Sequence, residues 1–127
     1  MIDGRKATGA RGESVAAEHL RRQGYHIADA NWRCRAGEID LIAEDGPSLV
    51  FVEVRTRRST RAGSAEESVT RTKQRRLIAL AETYLAWQEA AGRPWTGGWR
   101  IDVVAIRLGA HGEVLELNHL INAVEGG

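Results

Sequence analysis

The fold is decided by the stretch Gly37-Glu38-Ile39-Asp40-Leu41-Ile42-Ala43, which continues through the turn Glu44-Asp45-Gly46-Pro47 into Leu49-Val50-Phe51-Val52-Glu53-Val54-Arg55-Thr56-Arg57. Both halves are mostly apolar and have the length of β-strands, and the residues between them are a strong turn signal. We therefore predict two antiparallel strands, over Glu38–Ala43 and Leu49–Arg57. Because side chains alternate along a strand, Glu38 and Asp40 should share a face with Ile42, opposite to that of Ile39.

The turn also predicts the register of this hairpin. Counting outward from it gives the opposed pairs Glu44–Leu49, Ile42–Phe51, Asp40–Glu53 and Glu38–Arg55. The Cβ atoms of opposed residues lie ~4.5–5.5 Å apart, so the carboxylates of Asp40 and Glu53 should repel each other unless something compensates them. A divalent cation, a shared proton or a neighbouring arginine could do so. This geometry leaves a metal site and a structural ion-pair cluster equally open.

The rest of the chain supplies elements on both sides of this hairpin. The predicted elements are a helix over Gly12–Gln23, a strand over Tyr25–Arg33, a helix over Thr70–Ala91, and strands over Trp99–Leu108 and Gly112–Leu120. The polar segment Arg58–Ser68 is predicted to be a mobile loop. The order α-β-β-β-α-β-β indicates an α/β fold, a mixed sheet covered by helices. We expect one domain over residues 9–127, after a flexible tail over residues 1–8.

Each helix carries one inward-facing charged residue ahead of its apolar stripe. Glu13 precedes the stripe that begins at Ala16, so it should point toward the sheet, although an acid in a first helical turn also complements the helix dipole. Lys73 precedes the stripe that begins at Leu77, so its ammonium group either reaches solvent or serves a site.

Composition narrows the class of protein. A length of 127 residues suits one compact domain, and a hydrophobic content of 43% is enough for a core. No apolar run approaches the ~20 residues of a membrane span, and residues 1–11 lack the apolar segment of a signal peptide. The lone cysteine, Cys34, cannot form an internal disulfide, and the four histidines lack zinc-ligand spacing. We expect a cytoplasmic protein.

Positive charge is concentrated in one segment. The net charge is +1, but residues 55–76 contain eight basic and two acidic residues, which is +6, so the remainder carries −5. The basic residues are Arg55, Arg57, Arg58, Arg61, Arg71, Lys73, Arg75 and Arg76. Such a segment is typical of binding to a phosphate backbone, and also of a solvated surface loop. Charge alone leaves both interpretations open.

The motifs quoted above resemble those of the YraN-type family of small bacterial proteins, which is largely uncharacterised. The opening helix with Gly12-Glu13 and the later strand Arg100-Ile101-Asp102-Val103-Val104-Ala105 match as well, so the resemblance covers residues 9–108. That family is itself similar to archaeal Holliday-junction resolvases. The resemblance implies the restriction-endonuclease-like fold with a PD-(D/E)xK-type site.

The resemblance also implies roles for individual residues. Asp40 and Glu53 would be ligands of Mg²⁺ or Mn²⁺, and Glu13 would support the metal or its water. Arg55 stands where the family pattern has lysine, and an arginine stays charged and cannot easily act as a base. Lys73 is the nearby lysine that could substitute for it, while Arg57, Arg58, Arg61, Arg71, Arg75 and Arg76 would contact nucleic acid.

The hypothesis that follows is a metal-dependent nuclease acting on structured or branched nucleic acid, with DNA favoured over RNA, no membrane partner, and a homodimer left open. The alternative is a non-catalytic nucleic-acid-binding module with the same fold, and a third is a protein-interaction domain in which the acids stabilise the fold. Asp102 stands alone in an apolar strand, and we favour its pairing with an arginine over a role in the site. For Trp87, Trp95 and Trp99 we favour packing or a dimer contact over base stacking.

Overall fold

A computed structural model describes residues 4–58 and 70–124, and it confirms the predicted order of elements. The elements are α1 (Gly4–Arg22), β1 (His26–Cys34), β2 (Gly37–Asp45), β3 (Ser48–Arg58), α2 (Arg71–Ala90), β4 (Trp99–Leu108) and β5 (Val114–Leu120). The predicted loop over Arg58–Ser68 lies outside the described residues, apart from Arg58 itself. Neither helix in the described ranges is long and apolar enough to cross a membrane.

The five strands form one mixed sheet in the order β1-β2-β3-β4-β5. Strands β3 and β4 are parallel, because α2 returns the chain to the edge where β3 began, and the other neighbours are antiparallel. Helix α1 packs on one face through Ala16, Ala17 and Leu20. Helix α2 covers the other face through Leu77, Leu80, Ala81 and Tyr84. The strands between them are buried on both sides, which explains their nearly continuous apolar sequences.

The hairpin of β2 and β3 has the predicted register. Glu44 pairs with Leu49 and Ile42 with Phe51. Gly46 has a φ of 56°, a left-handed conformation that glycine adopts without steric cost and that suits a tight hairpin. The pairing of the two strands runs from Asp45–Ser48 to Leu41–Val52. Beyond that pair β2 stays with β1 and separates from β3, and we call the resulting opening the fork.

Three predicted details are wrong. Helix α1 begins at Gly4 instead of Gly12, so residues 4–8 belong to this helix although we assigned them to a tail. Strand β5 begins at Val114, two residues later than predicted. Ile39 packs with Ile42 in the α2-side core and not on the face of Leu41, since the end of β2 beyond the fork follows β1 alone.

Helix α2 brings Lys73 to the site-bearing end of the sheet. Thr70 caps the helix, and its hydroxyl accepts a hydrogen bond of 3.2 Å from the backbone N–H of Lys73. The far end stops at Ala90, after which Gly92 takes a φ of 79°. Trp95 and Trp99 pack against the α2-side core, as predicted. Trp87 contacts Trp32 and Tyr84 but remains 45% exposed.

Candidate active site in the fork

Asp40 lies in the fork, where its side chain accepts a hydrogen bond in place of a backbone carbonyl. Its Oδ2 accepts a hydrogen bond of 2.8 Å from the backbone N–H of Val54. The predicted pairing of Asp40 with Glu53 is therefore interrupted, because the side chain of Asp40 takes a hydrogen bond that a backbone carbonyl would otherwise accept. Both carboxylates nevertheless line the same pocket beneath Leu77 of α2. This pocket has a volume of about 10 Å³, at the lower limit of the space that one water molecule needs.

The acids around the fork disfavour a charge on Asp40. Burial is the main cause that raises its pKa, to about 7, and the carboxylates of Glu53, Glu13 and Glu38 raise it further. The Val54 N–H acts in the opposite direction, since it stabilises the charged carboxylate. Acidic side chains from α1, β2 and β3 thus all disfavour ionisation of Asp40.

Glu13 reaches this cluster from α1. Burial raises the pKa of its carboxyl, as does Glu38, while Arg33 lowers it. Because α1 begins at Gly4, Glu13 lies in the middle of the helix and not in its first turn. Complementing the helix dipole, the structural role considered from the sequence, therefore does not explain this acid.

Gly12 allows α1 to approach β3 closely at this point. A Cβ atom on Gly12 would overlap the hydroxyl of Thr56, and it would also lie 2.8 Å from the Thr56 Cβ, so rotation of the threonine could not relieve the clash. The glycine therefore sets the position of its neighbour Glu13 relative to the sheet.

Glu53 is the least satisfied of the four acids. Its Oε2 is buried, and it has no hydrogen-bond partner among the described residues. The Nε of Arg55 lies 3.9 Å away, within ion-pair range but beyond hydrogen-bonding distance. A buried carboxylate oxygen without a hydrogen bond costs about 1–3 kcal/mol or more, so this arrangement needs an explanation.

The basic residues predicted for the site lie beside Glu53. A groove of about 290 Å³ is lined by Glu53, Arg55, Arg57 and Lys73, together with Val54 and Thr56. It places an acid, two arginines and a lysine along one open surface. Arg57, Arg58, Arg71, Arg75 and Arg76 are exposed, whereas Arg61 lies outside the described residues.

The sequence did not indicate every partner at the fork. Glu38 pairs with Arg33 on β1, with 3.0 Å between Oε2 and Nε, whereas we had placed it opposite Arg55. It still contributes to the acidic cluster through its effect on Asp40 and Glu13. The Val54 N–H could not have been identified, because it follows from the ending of the strand pairing and not from residue type.

Within residues 4–58 and 70–124, no three His, Cys, Asp or Glu side chains converge as a ready-made set of metal ligands. Asp40 and Glu53 are a pair. A pair suits Mg²⁺, which keeps several waters and binds through one or two carboxylates. The unpartnered Glu53 oxygen and the repulsion around Asp40 are what a bound cation would relieve, so the residues fit such an ion.

Asp102 lies on β4 beside Val52, and its predicted pairing with an arginine is confirmed. Its Oδ1 accepts a hydrogen bond of 3.0 Å from the Nε of Arg100. His119 and the backbone of Asn122 also contact this carboxylate.

The chain is similar to a widely distributed group of bacterial proteins. Residues 12–106 match the uncharacterised protein family UPF0102. A UPF0102 protein of Herpetosiphon aurantiacus is 53% identical over 108 residues, which cover 85% of this chain and 87% of that protein. One from Roseiflexus castenholzii is 46% identical over 98% of both chains. Another, from Rhodococcus jostii, is 49% identical over 92% of this chain and 95% of its own.

Proposed function

The chain belongs to the UPF0102 family, whose name carries no activity, and we propose from its own residues that it is a cytoplasmic, metal-dependent nuclease acting on structured or branched DNA. The observation that carries this proposal is the buried Oε2 of Glu53. It lacks a hydrogen bond within the described structure and lies in the same pocket as Asp40. A divalent cation would satisfy this Glu53 oxygen and would offset the repulsion that the neighbouring acids exert on Asp40.

Asp40 and Glu53 would hold this cation, Mg²⁺ or Mn²⁺. When bound, such an ion lowers the pKa of a water molecule and polarises a phosphoryl oxygen. The Val54 N–H donates to Oδ2 of Asp40 and so orients this carboxylate in the fork. Glu13 supplies a further acceptor that would orient water from the α1 side of the fork.

Arg55 and Lys73 would bind the scissile phosphate. Both line the groove that contains Glu53, so a phosphate beside the metal pair would meet two cations. Arg55 stabilises negative charge by donating hydrogen bonds, and it does not exchange a proton at neutral pH. Any proton transfer by a side chain at this end of the groove would fall to Lys73 or to an acid.

One observation favours the alternative, a binding module without turnover. Arg55 occupies the position at which the PD-(D/E)xK pattern has a titratable amine. A module of this kind would keep the basic groove and the fold but would not cleave. The two functions predict the same binding and differ in cleavage.

The deciding experiment is a cleavage screen over single-stranded, duplex, flap and junction DNA with Mg²⁺, Mn²⁺ or chelator. We expect metal-dependent cleavage of at least one branched substrate, and its loss in Asp40→Asn and Glu53→Gln. Glu82→Gln, an equivalent change at an exposed position on α2, is the matched control and should cleave normally. Binding without cleavage under every condition would establish the module, and a lack of binding to any of these DNAs would overturn both functions.

The basic segment is tested by salt dependence. If its arginines contact phosphates, affinity for DNA falls steeply with salt through counterion release. The triple variant Arg57→Ala, Arg58→Ala, Arg61→Ala should therefore bind more weakly and with a shallower slope. An unchanged slope would show that these arginines are a solvated surface.

A further inference from the structure

A second group of polar residues, distant in sequence from the fork, links β4, β5 and α1. It is centred on Asp102, which is fully buried. Asp102 Oδ1 accepts hydrogen bonds from the Arg100 Nε (3.0 Å) and from the Asn122 N–H (2.8 Å). His119 Nε2 lies 2.8 Å from Oδ2. Burial raises the pKa of Asp102, but the bonds from His119, Asn122 and Arg100 outweigh it, so the pKa is lowered and the group is a carboxylate at neutral pH.

The ionised Asp102 determines how the two histidines share protons. A carboxylate can only accept, so the Nε2 of His119 must donate to it, and the Nδ1 of a neutral His119 is left as an acceptor. That Nδ1 lies 3.2 Å from the Nε2 of His19, which therefore donates. The remaining nitrogen, Nδ1 of His19, makes no hydrogen bond to the described residues. The imidazole of His19 is thus held at one nitrogen and available at the other.

His19 lines a groove of about 680 Å³ between α1 and β5. The charged side chains of this groove are Arg11, Arg21, Arg22 and Glu18, three cations and one anion. Arg22 pairs with Glu18 at 3.1 Å, and Arg11 uses its Nε on the carbonyl of Gly112 at 3.2 Å. Because an arginine has five N–H donors, both retain donors for a ligand, and Arg21 remains exposed beside them.

This groove continues the basic surface at the end of β3. The carbonyls of the turn between β4 and β5 connect the two: Arg58 donates to Ala110 and Arg11 donates to Gly112, each at 3.2 Å. Arginines therefore lie on both sides of one turn, with the fork-side groove beyond Arg58 and the α1–β5 groove beyond Arg11. A phosphate backbone, with one charge at regular intervals, is the ligand that such a track suits.

We propose that the groove between α1 and β5 is a second nucleic-acid-binding site, in which Arg21 and His19 contact phosphates of the backbone. The inference rests on the nucleic-acid-binding part of the proposed function and not on cleavage. It extends the path of the DNA from the fork, around the β4–β5 turn, to the opposite edge of the sheet.

Binding at this site should be coupled to proton uptake. Burial lowers the pKa of His19, and so does the neighbouring His119, so the free groove favours a neutral imidazole. A phosphate at Nδ1 would favour the protonated form, which donates from both nitrogens. His19 contacts His119, which in turn bonds to Asp102, and it shares the groove with Glu18 and the arginines of α1. A bound phosphate would add negative charge to these surroundings and so favour the protonated form of His19.

The test uses the full chain in chelator, with a fluorescent DNA duplex and anisotropy as the readout at several salt concentrations. Arg21→Glu should weaken binding about tenfold and reduce the salt slope by about one to two. Arg93→Glu, the same change in the exposed segment after α2, is the matched control and should bind like the wild type. His19→Gln keeps a donor toward His119 but cannot take up a proton, so it should abolish the strengthening of binding between pH 8 and pH 6 that the wild type should show.

The outcomes separate this site from the proposed function. If the wild type binds DNA and Arg21→Glu and His19→Gln bind equally well and with the same pH profile, the groove is not a binding site, while the nuclease proposal stands. If the wild type binds no DNA, this inference fails together with the nucleic-acid-binding part of the proposed function. Thermal melting of each variant establishes that it is folded.

Discussion

Asp40 and Asp102 are two largely buried aspartates of the same sheet, and their surroundings are opposite. Asp102 is contacted by a guanidinium, an imidazole and a backbone N–H, and its pKa lies below the ordinary value. Asp40 has one backbone N–H and three acids around it, and its pKa is raised to about 7. One buried charge is stabilised by the fold, and the other is disfavoured by it.

This difference supports the proposal that a cation binds at the fork and not at Asp102. A carboxylate whose hydrogen bonds are complete contributes to stability, and a cation cannot easily displace its partners. A carboxylate among other carboxylates lowers stability and binds a cation or a proton readily. The pairing of Asp102 therefore suggests a structural role for it, and the crowding of Asp40 suggests a functional one.

The largest expected effect is the loss of the Asp102 carboxylate. Asp102→Asn should lower the free energy of unfolding at pH 7 by about 3–5 kcal/mol, because it removes the fully buried carboxylate that accepts hydrogen bonds from Arg100, His119 and the Asn122 N–H. Since the folded-state pKa is lowered, this contribution is complete above the ordinary pKa of 3.8 and disappears as the pH falls through the folded value. Urea unfolding at pH 7 and pH 3 measures it. A loss below 1 kcal/mol at pH 7 would remove the contrast with Asp40.

The same substitution at Asp40 should have the opposite sign. The folded protein keeps a proton on Asp40 up to a pH of about 7, whereas the unfolded chain releases it near 3.8, so wild-type stability falls between these values. Asp40→Asn abolishes this dependence and should be more stable at pH 8 in chelator, by about 2–4 kcal/mol, and equal to the wild type below pH 3.8.

The effect of Mn²⁺ on thermal stability tests whether Asp40 is a metal ligand. Mn²⁺ should raise the melting temperature of the wild type at pH 8 and leave that of Asp40→Asn unchanged, because ligands that bind only the folded state stabilise it. Equal stabilisation of both proteins by Mn²⁺ would show that Asp40 is not a ligand.

A third prediction concerns the position of Glu13. Gly12→Ala should destabilise the protein by about 1–3 kcal/mol, since the new Cβ overlaps Thr56. It should also lower the pKa of Asp40, measured by NMR, because α1 must move away and carry Glu13 with it. Gly9→Ala is the control in the same helix. Its Cβ meets nothing within 4 Å, so it should stabilise by up to about 1 kcal/mol through helix propensity. Equal effects of the two changes would mean that Gly12 does not position α1.

The smallest expected effect is that of Arg55→Lys. If Arg55 supplies only positive charge, this variant should keep DNA affinity and any cleavage rate within about twofold. A rise in cleavage would show instead that the site lacks a titratable amine. Arg55→Ala should weaken both, and a folded Arg55→Ala protein with wild-type binding and cleavage would exclude Arg55 from the site.

The sequence sufficed for the hairpin because two independent signals agree there. The Gly46 turn and the apolar runs on both sides of it predict the same register, and the pairs from Glu44–Leu49 to Leu41–Val52 confirm it. It did not suffice for the fork, where Asp40 bonds to Val54 in place of a backbone carbonyl. The point at which two paired strands separate depends on strand twist and packing, and the spacing of residues in the sequence does not indicate either.

Long-range partners were the other part that could not be predicted. The sequence predicts that Asp102 pairs with an arginine but does not name it, and the structure identifies Arg100, two residues away on the same face of the strand. His119 is 17 residues away, and the link from His119 to His19 spans 100. The sequence does not predict the early start of α1, because residues 4–11 carry no apolar stripe. They are helical as an extension of the amphipathic segment that follows them.

The parallel pairing of β3 with β4 has a consequence for how the chain acquires this structure. Every pair from Leu49–Trp99 to Arg58–Leu108 joins residues 50 positions apart, whereas β1, β2 and β3 pair through short turns. The three-stranded meander can therefore form early, and β4 can add only after α2 has been made, which is the slow step of such topologies. Until then the apolar edge of β3, from Leu49 to Val52, remains uncovered and open to pairing with other chains. Slow or interrupted synthesis of residues 70–108 should consequently lead to aggregation through this edge, with the carboxylates of Asp40 and Glu53 already on the exposed hairpin.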